Sequence, residues 1–487
     1  MIIAGVLELA SKIRYGVTSR GVPMYLFVPY NKDIPSLIVA SSERDLSRNQ
    51  IAVVDGGCDL KHLDRASLHS LLGPVGSHIA EVKGLLAHYA GVHGIRNTLK
   101  AIAPDSPDSV FEIDETRIEI SKETGWTVFT VDPAGCMDAD DAIAFNPSER
   151  MMAITIADVA SVVAPGSPID MRAREIGATF YDLDGRVVVP MLPKEISEGT
   201  ASLLKGQRRR GLTLLVYILD DGPGERSGTS REAGERSGGH QFIARTSFQP
   251  SWITVEQSFT YESFAASSLY PTIQEQCPEE YKGIEDTHKW IEALMVLYNR
   301  EAAAVLKRVG AGILRVQKKE REEDEALGAI DFRLITEVGC YVAVIPGEEQ
   351  EHATLGCVYC HASSPLRRYV DLVNQRILLG GSPSHEIAAL NERAKNNKRW
   401  NRDLQFLTFV TPGVVHTLEV VSLGEGQKVW VPTWGRRLTL RHEVTPVTPL
   451  GARFTIQIFC DPTKRCWKER ILTAPTSAYE KPAPCSE

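Results

Sequence analysis

At 487 residues the chain is longer than one ordinary core needs, so two to four domains are expected. Its 43% hydrophobic and 24% charged residues are those of a globular protein, and no apolar run of about 18 residues could span a bilayer. The formal charge of −8 excludes a generally basic nucleic-acid coat but leaves room for a local basic channel.

The start MIIAGVLELASKIRYG has no basic segment ahead of its apolar run and no small-residue cleavage site, so a cytoplasmic protein is expected. Residues 1–100 show short β-rich runs (GVLEL, MYLFVP, SLIVASS, IAVVDG) parted by Gly, Pro and Asn turns, the pattern of a small β-barrel. A helix is expected over IAEVKGLLAHYAGVH. The strand TVFTVD then leads into an acidic loop, and MMAITIADVASVV is read as the strand directly behind that loop. Residues 221–240 are Gly, Ser and charge throughout and are read as a flexible insertion.

HKWIEALMVLYNREAAAVLKRV carries apolar residues at helical spacing ahead of Gly310. Further helices are expected from about Pro365 through Leu379 and from His385 to about Phe406. Four strand-like runs (VVHTLEVVSL, KVWVPTW, RLTLRHE, RFTIQIF) suggest a second small barrel, followed by a Pro-rich tail, 476–487, read as disordered. Basic runs occur at Lys205 with Arg208, Arg209 and Arg210, at Arg367 and Arg368, and at Lys395, Lys398, Arg399 and Arg402. Any of these could be a solvated face.

Asp132, Asp138, Asp140 and Asp141 place four carboxylates within ten residues. Such charges repel at low dielectric unless a cation sits among them, and an all-oxygen set without a His or Cys pair suits magnesium. Taken alone, DxDD is equally the pattern of a solvated acidic turn. Nine scattered cysteines, an odd number, fit reduced thiols rather than a disulfide framework. Cys357 and Cys360, followed by His361, form a CxxCH string, but with no second ligand pair they are read as structural, and no haem is expected.

The setting of the acidic loop, TVDPAGCMDADDAIAF followed by ITIADVASVVAPGSPID, resembles the ribonuclease II/R (RNB) family of 3′→5′ exoribonucleases, which includes the exosome catalytic subunit. Further blocks resemble it in the same order: VVVPMLPKEISEGTASLLKGQ, FTYESF, IEALMVLYN and YCHASSPLRRYVDL. The resemblance implies an α+β multidomain fold. Residues 1–100 would form a cold-shock-like OB barrel, 101–410 a mixed α/β catalytic domain, and 411–475 an S1-like OB barrel. It implies a monomer that degrades single-stranded RNA hydrolytically to nucleoside 5′-monophosphates, with no membrane partner and with Mg2+, or Mn2+ in its place.

On the same resemblance, Asp132, Asp138, Asp140 and Asp141 would be metal-binding and catalytic, with Asp140 the most sensitive to substitution. Two metals would position a water and stabilise the leaving 3′ oxygen in an in-line attack. Tyr181 would clamp the terminal base, and Tyr261, Glu292, Arg367 and Arg368 would lie along the strand's 3′ end. The bland alternatives are a surface tyrosine for Tyr181, a core tyrosine for Tyr261 and solvent-facing positions for the other three. The chain departs from the family in carrying one N-terminal barrel rather than two, in a short interval from Tyr261 to Glu292, and in compression between Arg315 and His352. The family's catalytic arginine has no clear counterpart: Thr336 or Glu337 falls near its place, with Arg333 a substitute. An alternative is therefore a catalytically degenerate member that binds RNA as a regulator.

Overall fold

The computed structural model describes residues 1–57, 60–91, 116–220, 241–318, 330–331, 339–381, 386–409, 414–424, 427–440, 448–460 and 471–475. The expected insertion at 221–240, the tail at 476–487, and Arg333, Thr336 and Glu337 lie outside the described residues.

Five strands open the chain: β1 (Ile2–Leu7), β2 (Met24–Pro29), β3 (Leu37–Ala40), β4 (Gln50–Asp55) and β5 (Arg65–Pro74). They close into a barrel of order β1-β2-β3-β5-β4 through antiparallel pairing of β1 with β4. Inward-facing Leu7, Tyr25, Phe27, Leu37, Val39 and Val54 fill it. Gly5 is required where β1 crosses β2, because a Cβ there would stand 2.3 Å from the Val28 carbonyl oxygen. Helix α1 (His78–Tyr89) follows.

The central layer is a seven-stranded sheet. Its members are β6 (Ile118–Ile120), β7 (Thr127–Asp132), β8 (Asp141–Asn146) and β9 (Met151–Ala157). After α2 (Pro168–Ile176) and the short pair β10 (Phe180–Tyr181) and β11 (Val187–Val189) come β12 (Arg208–Asp220), β13 (Gln241–Thr254) and β14 (Gln257–Thr260). Their order is β14-β7-β8-β9-β12-β13-β6. β8 and β9 read almost wholly apolar because both their faces are buried. The expectation of MMAITIA directly behind the acidic loop needs correction: DAIAFN forms β8 first, so Asp141 is the first residue of a strand and not part of the loop. Its Ala-rich sequence masks a strand that pairing on both edges stabilises.

After α3 (Tyr261–Ala265) and α4 (Leu269–Gln276), the long α5 (Thr287–Val309) packs on the sheet. Asp286 caps it, accepting from His288 N at 2.9 Å, and Gly310 ends it at φ 74. Beneath α3, Phe264 stacks on Phe129 at 5.0 Å and lies 5.9 Å from Trp290 of α5, so one aromatic cluster joins sheet and both helices. β15 (Ile313–Val316) and β16 (Cys340–Ala343) form a two-stranded ribbon.

Helix α6 (Tyr369–Leu378) begins four residues later than Pro365. The Leu366 N–H is given to a carboxylate across the molecule and the Arg368 N–H to the Ser364 carbonyl, so Ser364–Arg368 is a turn. The long α7 (Ile387–Phe409) then leads to β17 (Val415–Ser422), β18 (Lys428–Val431), β19 (Arg436–Thr439), β20 (Arg453–Cys460) and β21 (Ile471–Pro475). These form a sheet of order β19-β18-β17-β20-β21, with no closing pair among the described residues. Leu85 and Tyr89 of α1, Trp400 and Leu404 of α7, and Val420 and Ile456 of the last sheet share one core. Tyr89 donates to Asp403 at 2.5 Å, so the first barrel's helix is tied to α7 by a polar contact as well. Among the described residues no helix is long and apolar enough to cross a membrane.

Truncating Phe264 to Ala removes the shared ring of the aromatic cluster. A loss of about 3–5 kcal/mol is expected, read as a lower urea midpoint for the transition that exposes Trp290 fluorescence.

Candidate active site

The site is built where three strands end together. β7 and β8 run antiparallel with Phe129 opposite Ile143, so β7 ends at Asp132 beside the start of β8, where Asp140 and Asp141 lie. β14 lies parallel to β7 with Thr260 opposite Asp132, so Tyr261 arrives at the same edge. The intervening loop is pinned by Ser202, which donates to the Met137 carbonyl at 2.8 Å and accepts from Ala139 N at 3.0 Å. The Asp140 carbonyl is likewise engaged, accepting from Ala157 N at 2.8 Å.

Asp140 is buried, and both of its carboxylate oxygens are engaged. One accepts the Leu366 N–H at 2.9 Å and the other accepts Arg367 Nε at 2.9 Å. Arg367 also donates to Ser364 Oγ at 3.2 Å, while the Arg368 guanidinium and the Ser364 N–H both donate to Asp371, each at 2.8 Å. The Ser364–Arg368 turn is thus clamped at one end by Asp140 and at the other by Asp371. Tyr181 donates to Asp138 at 3.3 Å, and Cys136 Sγ to the same carboxylate at 3.4 Å.

The electrostatics follow from burial. Burial raises the Asp140 carboxyl to about 7 even though Arg367 opposes the shift. Burial raises Asp132 against the hydrogen bonds of Cys136 and Thr130, with Asp138 adding to the rise, and burial followed by the charges of Asp132 and Asp140 raises Asp141. Burial and the charges of Asp141 and Asp132 push the Tyr261 phenol up to about 12, and burial with Asp138 raises Tyr181 further. Both tyrosines therefore face the carboxylates as neutral donors. Arg367 is held firmly charged by Asp140 and its neighbours.

The donor chemistry suits a hard divalent cation: all oxygen, with Asp138 raising Asp132 and Asp132 raising Asp141, a repulsion that a positive ion would relieve. No group of three or more His, Cys, Asp or Glu among the described residues forms a complete cage. That is compatible with magnesium, which commonly takes one or two carboxylates and completes its shell with water and phosphate oxygens.

Asp132, Asp138, Asp140, Asp141, Tyr181, Tyr261 and Arg367 converge on one place. Arg368 lies beside it, turned to Asp371. Glu292 is exposed on α5, one turn beyond His288. His288 itself stacks on Tyr261 with centroids 3.6 Å apart, a contact that sequence inspection missed because HKWIEAL read only as a helix start. Ser202 was equally unflagged, being one serine inside a long matching block. Cys360 is buried and donates to the Asn299 carbonyl at 3.3 Å, and His361 contacts Tyr341 at 2.8 Å, so the CxxCH string serves packing.

Residues 120–275, which hold nearly all of the central sheet and the carboxylate edge, match the RNB domain. Relatives matched over parts of the chain carry the names Exoribonuclease 2 and Ribonuclease R. The chain is 25% identical over 420 residues to Exoribonuclease 2 of Xenorhabdus bovienii, a match covering 69% of this chain and 64% of that protein. The chain thus spans less than two thirds of that relative's length. Among solved structures it resembles Mycoplasma genitalium RNase R in complex with ribose-methylated single-stranded RNA, at TM-score 0.67 and 15% identity, over 98% of this chain and 90% of that one. It also resembles yeast Ssd1, a pseudonuclease, at TM-score 0.65 and 15% identity, over 94% and 68% of the two chains. These likenesses establish the fold.

The raised carboxyls carry a pH signature. Between the unfolded value near 4 and the native value of about 7, the folded chain keeps a proton at Asp140 that the unfolded chain has released. Stability therefore falls as pH rises through this window, by up to about 1.4 kcal/mol per pH unit for each such proton. In EDTA, Asp141→Asn is expected to flatten the decline in melting temperature between pH 5 and 8, and magnesium to flatten it in the wild type. Identical slopes for wild type and variant would show that the carboxylates do not repel.

Proposed function

We propose that the chain is a magnesium-dependent hydrolytic 3′→5′ exoribonuclease that shortens single-stranded RNA to nucleoside 5′-monophosphates. The single observation carrying this is the convergence of the Asp132–Asp141 pair, the Asp140–Arg367 clamp and two neutral tyrosines at one sheet edge. The relative named Exoribonuclease 2 supports RNA as the substrate and attack from an end.

Asp132 and Asp141 would hold the cation, with Asp138 beside them. A bound magnesium or manganese ion supplies charge neutralisation at the phosphodiester and lowers the pKa of water. Arg367, fixed in orientation by Asp140 and Ser364, offers its remaining N–H groups to a phosphate oxygen. Tyr181 presents a ring for base stacking, which every base satisfies and which suits a sequence-tolerant enzyme. Tyr261, stacked on His288, would offer its neutral hydroxyl to the RNA beside the carboxylates. The first barrel and the last sheet, both docked through α7, fit an RNA-guiding role in a monomer acting in the cytoplasm.

One observation favours a second reading: both oxygens of Asp140 are already occupied, and the fold is shared with a pseudonuclease. In that case the chain binds RNA without cutting it. The two readings separate with 5′-labelled single-stranded RNA. With magnesium, wild-type protein is expected to shorten it from the 3′ end, and Asp138→Asn and Asp140→Asn to slow this by at least roughly a hundredfold while RNA binding persists. Intact RNA across a series of magnesium and manganese concentrations would establish the binding-only reading.

A further inference from the structure

A cleft of about 320 Å3 opens beside the carboxylates. Arg367 and Tyr181 line it on one side and contact Asp140 and Asp138 on the other. Three elements build its far wall: β15 contributes Arg315, the start of α6 is flanked by Arg368, and α7 contributes Arg393 and Lys398.

This wall is nearly uncompensated. Among the described residues its acidic partner is Asp371, paired with Arg368. Arg315, 8% exposed, lies over the Tyr341 ring at 4.9 Å and has no carboxylate there, nor have Arg393 and Lys398. Arg368 Nε is buried without a hydrogen-bond partner. Crowded cations weaken one another's charged forms. Burial and then the charge of Arg315 lower the Lys398 ammonium, and burial with Arg368 and Arg315 holds His361 well below its ordinary value.

A doubly charged tetrahedral anion resolves this arrangement better than a carboxylate or an internal phosphodiester. Guanidinium forks approaching from β15, α6 and α7 can each meet a separate phosphate oxygen, and a monoester carries close to two charges at neutral pH. Because Tyr181 and Arg367 both line the cleft and contact the carboxylates, a strand with its last phosphodiester at the carboxylates would turn its 3′ position toward the cleft.

We propose that the cleft is a binding site for a terminal phosphate monoester, the end group of an RNA that carries a 3′-phosphate. The choice of RNA as its source rests on the function proposed above. The phosphate chemistry does not.

The test is fluorescence anisotropy of the full chain in EDTA with 5′-fluorescein oligoribonucleotides of one sequence, ending in a 3′-phosphate or a 3′-hydroxyl. The 3′-phosphate end is expected to bind roughly tenfold tighter, the worth of one charge-assisted hydrogen bond at its lower limit. Lys398→Gln and Arg315→Gln should each erase most of that preference and leave 3′-hydroxyl binding unchanged. Inorganic phosphate and adenosine 5′-monophosphate serve as competitors. Erasure of the preference by phosphate supports the site, whereas a nucleotide that competes better than 3′-phosphorylated RNA shifts the occupant to released product and overturns the choice made here. Equal affinity for the two ends, or a preference that survives both substitutions, overturns the proposal. If magnesium-loaded protein leaves RNA intact while the preference holds, the cleft stands and the nuclease function falls.

Discussion

The Asp140 carboxylate, fully taken up by the Leu366 N–H and the Arg367 guanidinium, is the contact on which the rest of the site depends. It joins an acidic loop between two sheet strands to a turn more than two hundred residues away in sequence. The cost of burying this carboxylate is offset only because two donors meet it with good geometry. Removing either donor leaves a buried charge with half its partners, and the loop and the turn then lose their mutual register. Asp371 performs the same service at the other end of the turn, where it collects the Ser364 N–H and the Arg368 guanidinium.

From that clamp the site acquires two electrical halves. On one side lie Asp132, Asp138 and Asp141, crowded and raised in pKa. On the other lie Arg315, Arg368, Arg393 and Lys398, crowded and short of acids. Arg367 stands at the boundary and belongs to both. In a chain with a net charge of −8, the cations are thus concentrated locally rather than spread over a basic surface, which is what the proposed RNA substrate would require. The aromatic cluster of Phe129, Phe264 and Trp290 keeps the tyrosine side of this boundary rigid, since it fixes α3 and with it Tyr261.

What the sequence made legible was whatever depends on local pattern. Short β-rich runs locate four of the five strands of the first barrel, β5 (Arg65–Pro74) having gone unread, and the apolar spacing of Trp290, Leu294 and Leu297 locates α5 to within a residue. The four aspartates are visible as a cluster. Which of them is free and which is clamped is not, because Asp140 and Asp141 are adjacent in the chain and differ only in what a distant turn does to one of them. β8 was missed because Ala-Ile-Ala-Phe has no alternation when both faces are buried. The start of α6 was placed too early because Pro365 is an acceptable first helical residue, and only tertiary donation by Leu366 makes the segment a turn. The cationic wall draws on residues 315, 368, 393 and 398, a set that no local window contains.

The central claim, that the acidic loop and the Ser364–Arg368 turn act as one unit in shortening RNA, is tested most directly by a double-mutant cycle. Rates of 3′-end shortening would be compared for wild type, Asp140→Asn, Arg367→Gln and the double variant under saturating magnesium. The structure predicts strong non-additivity, with the double variant no slower than the slower single variant, a coupling of roughly 1–3 kcal/mol. Additive losses would show that the two residues act independently and would contradict the clamp as the organising contact.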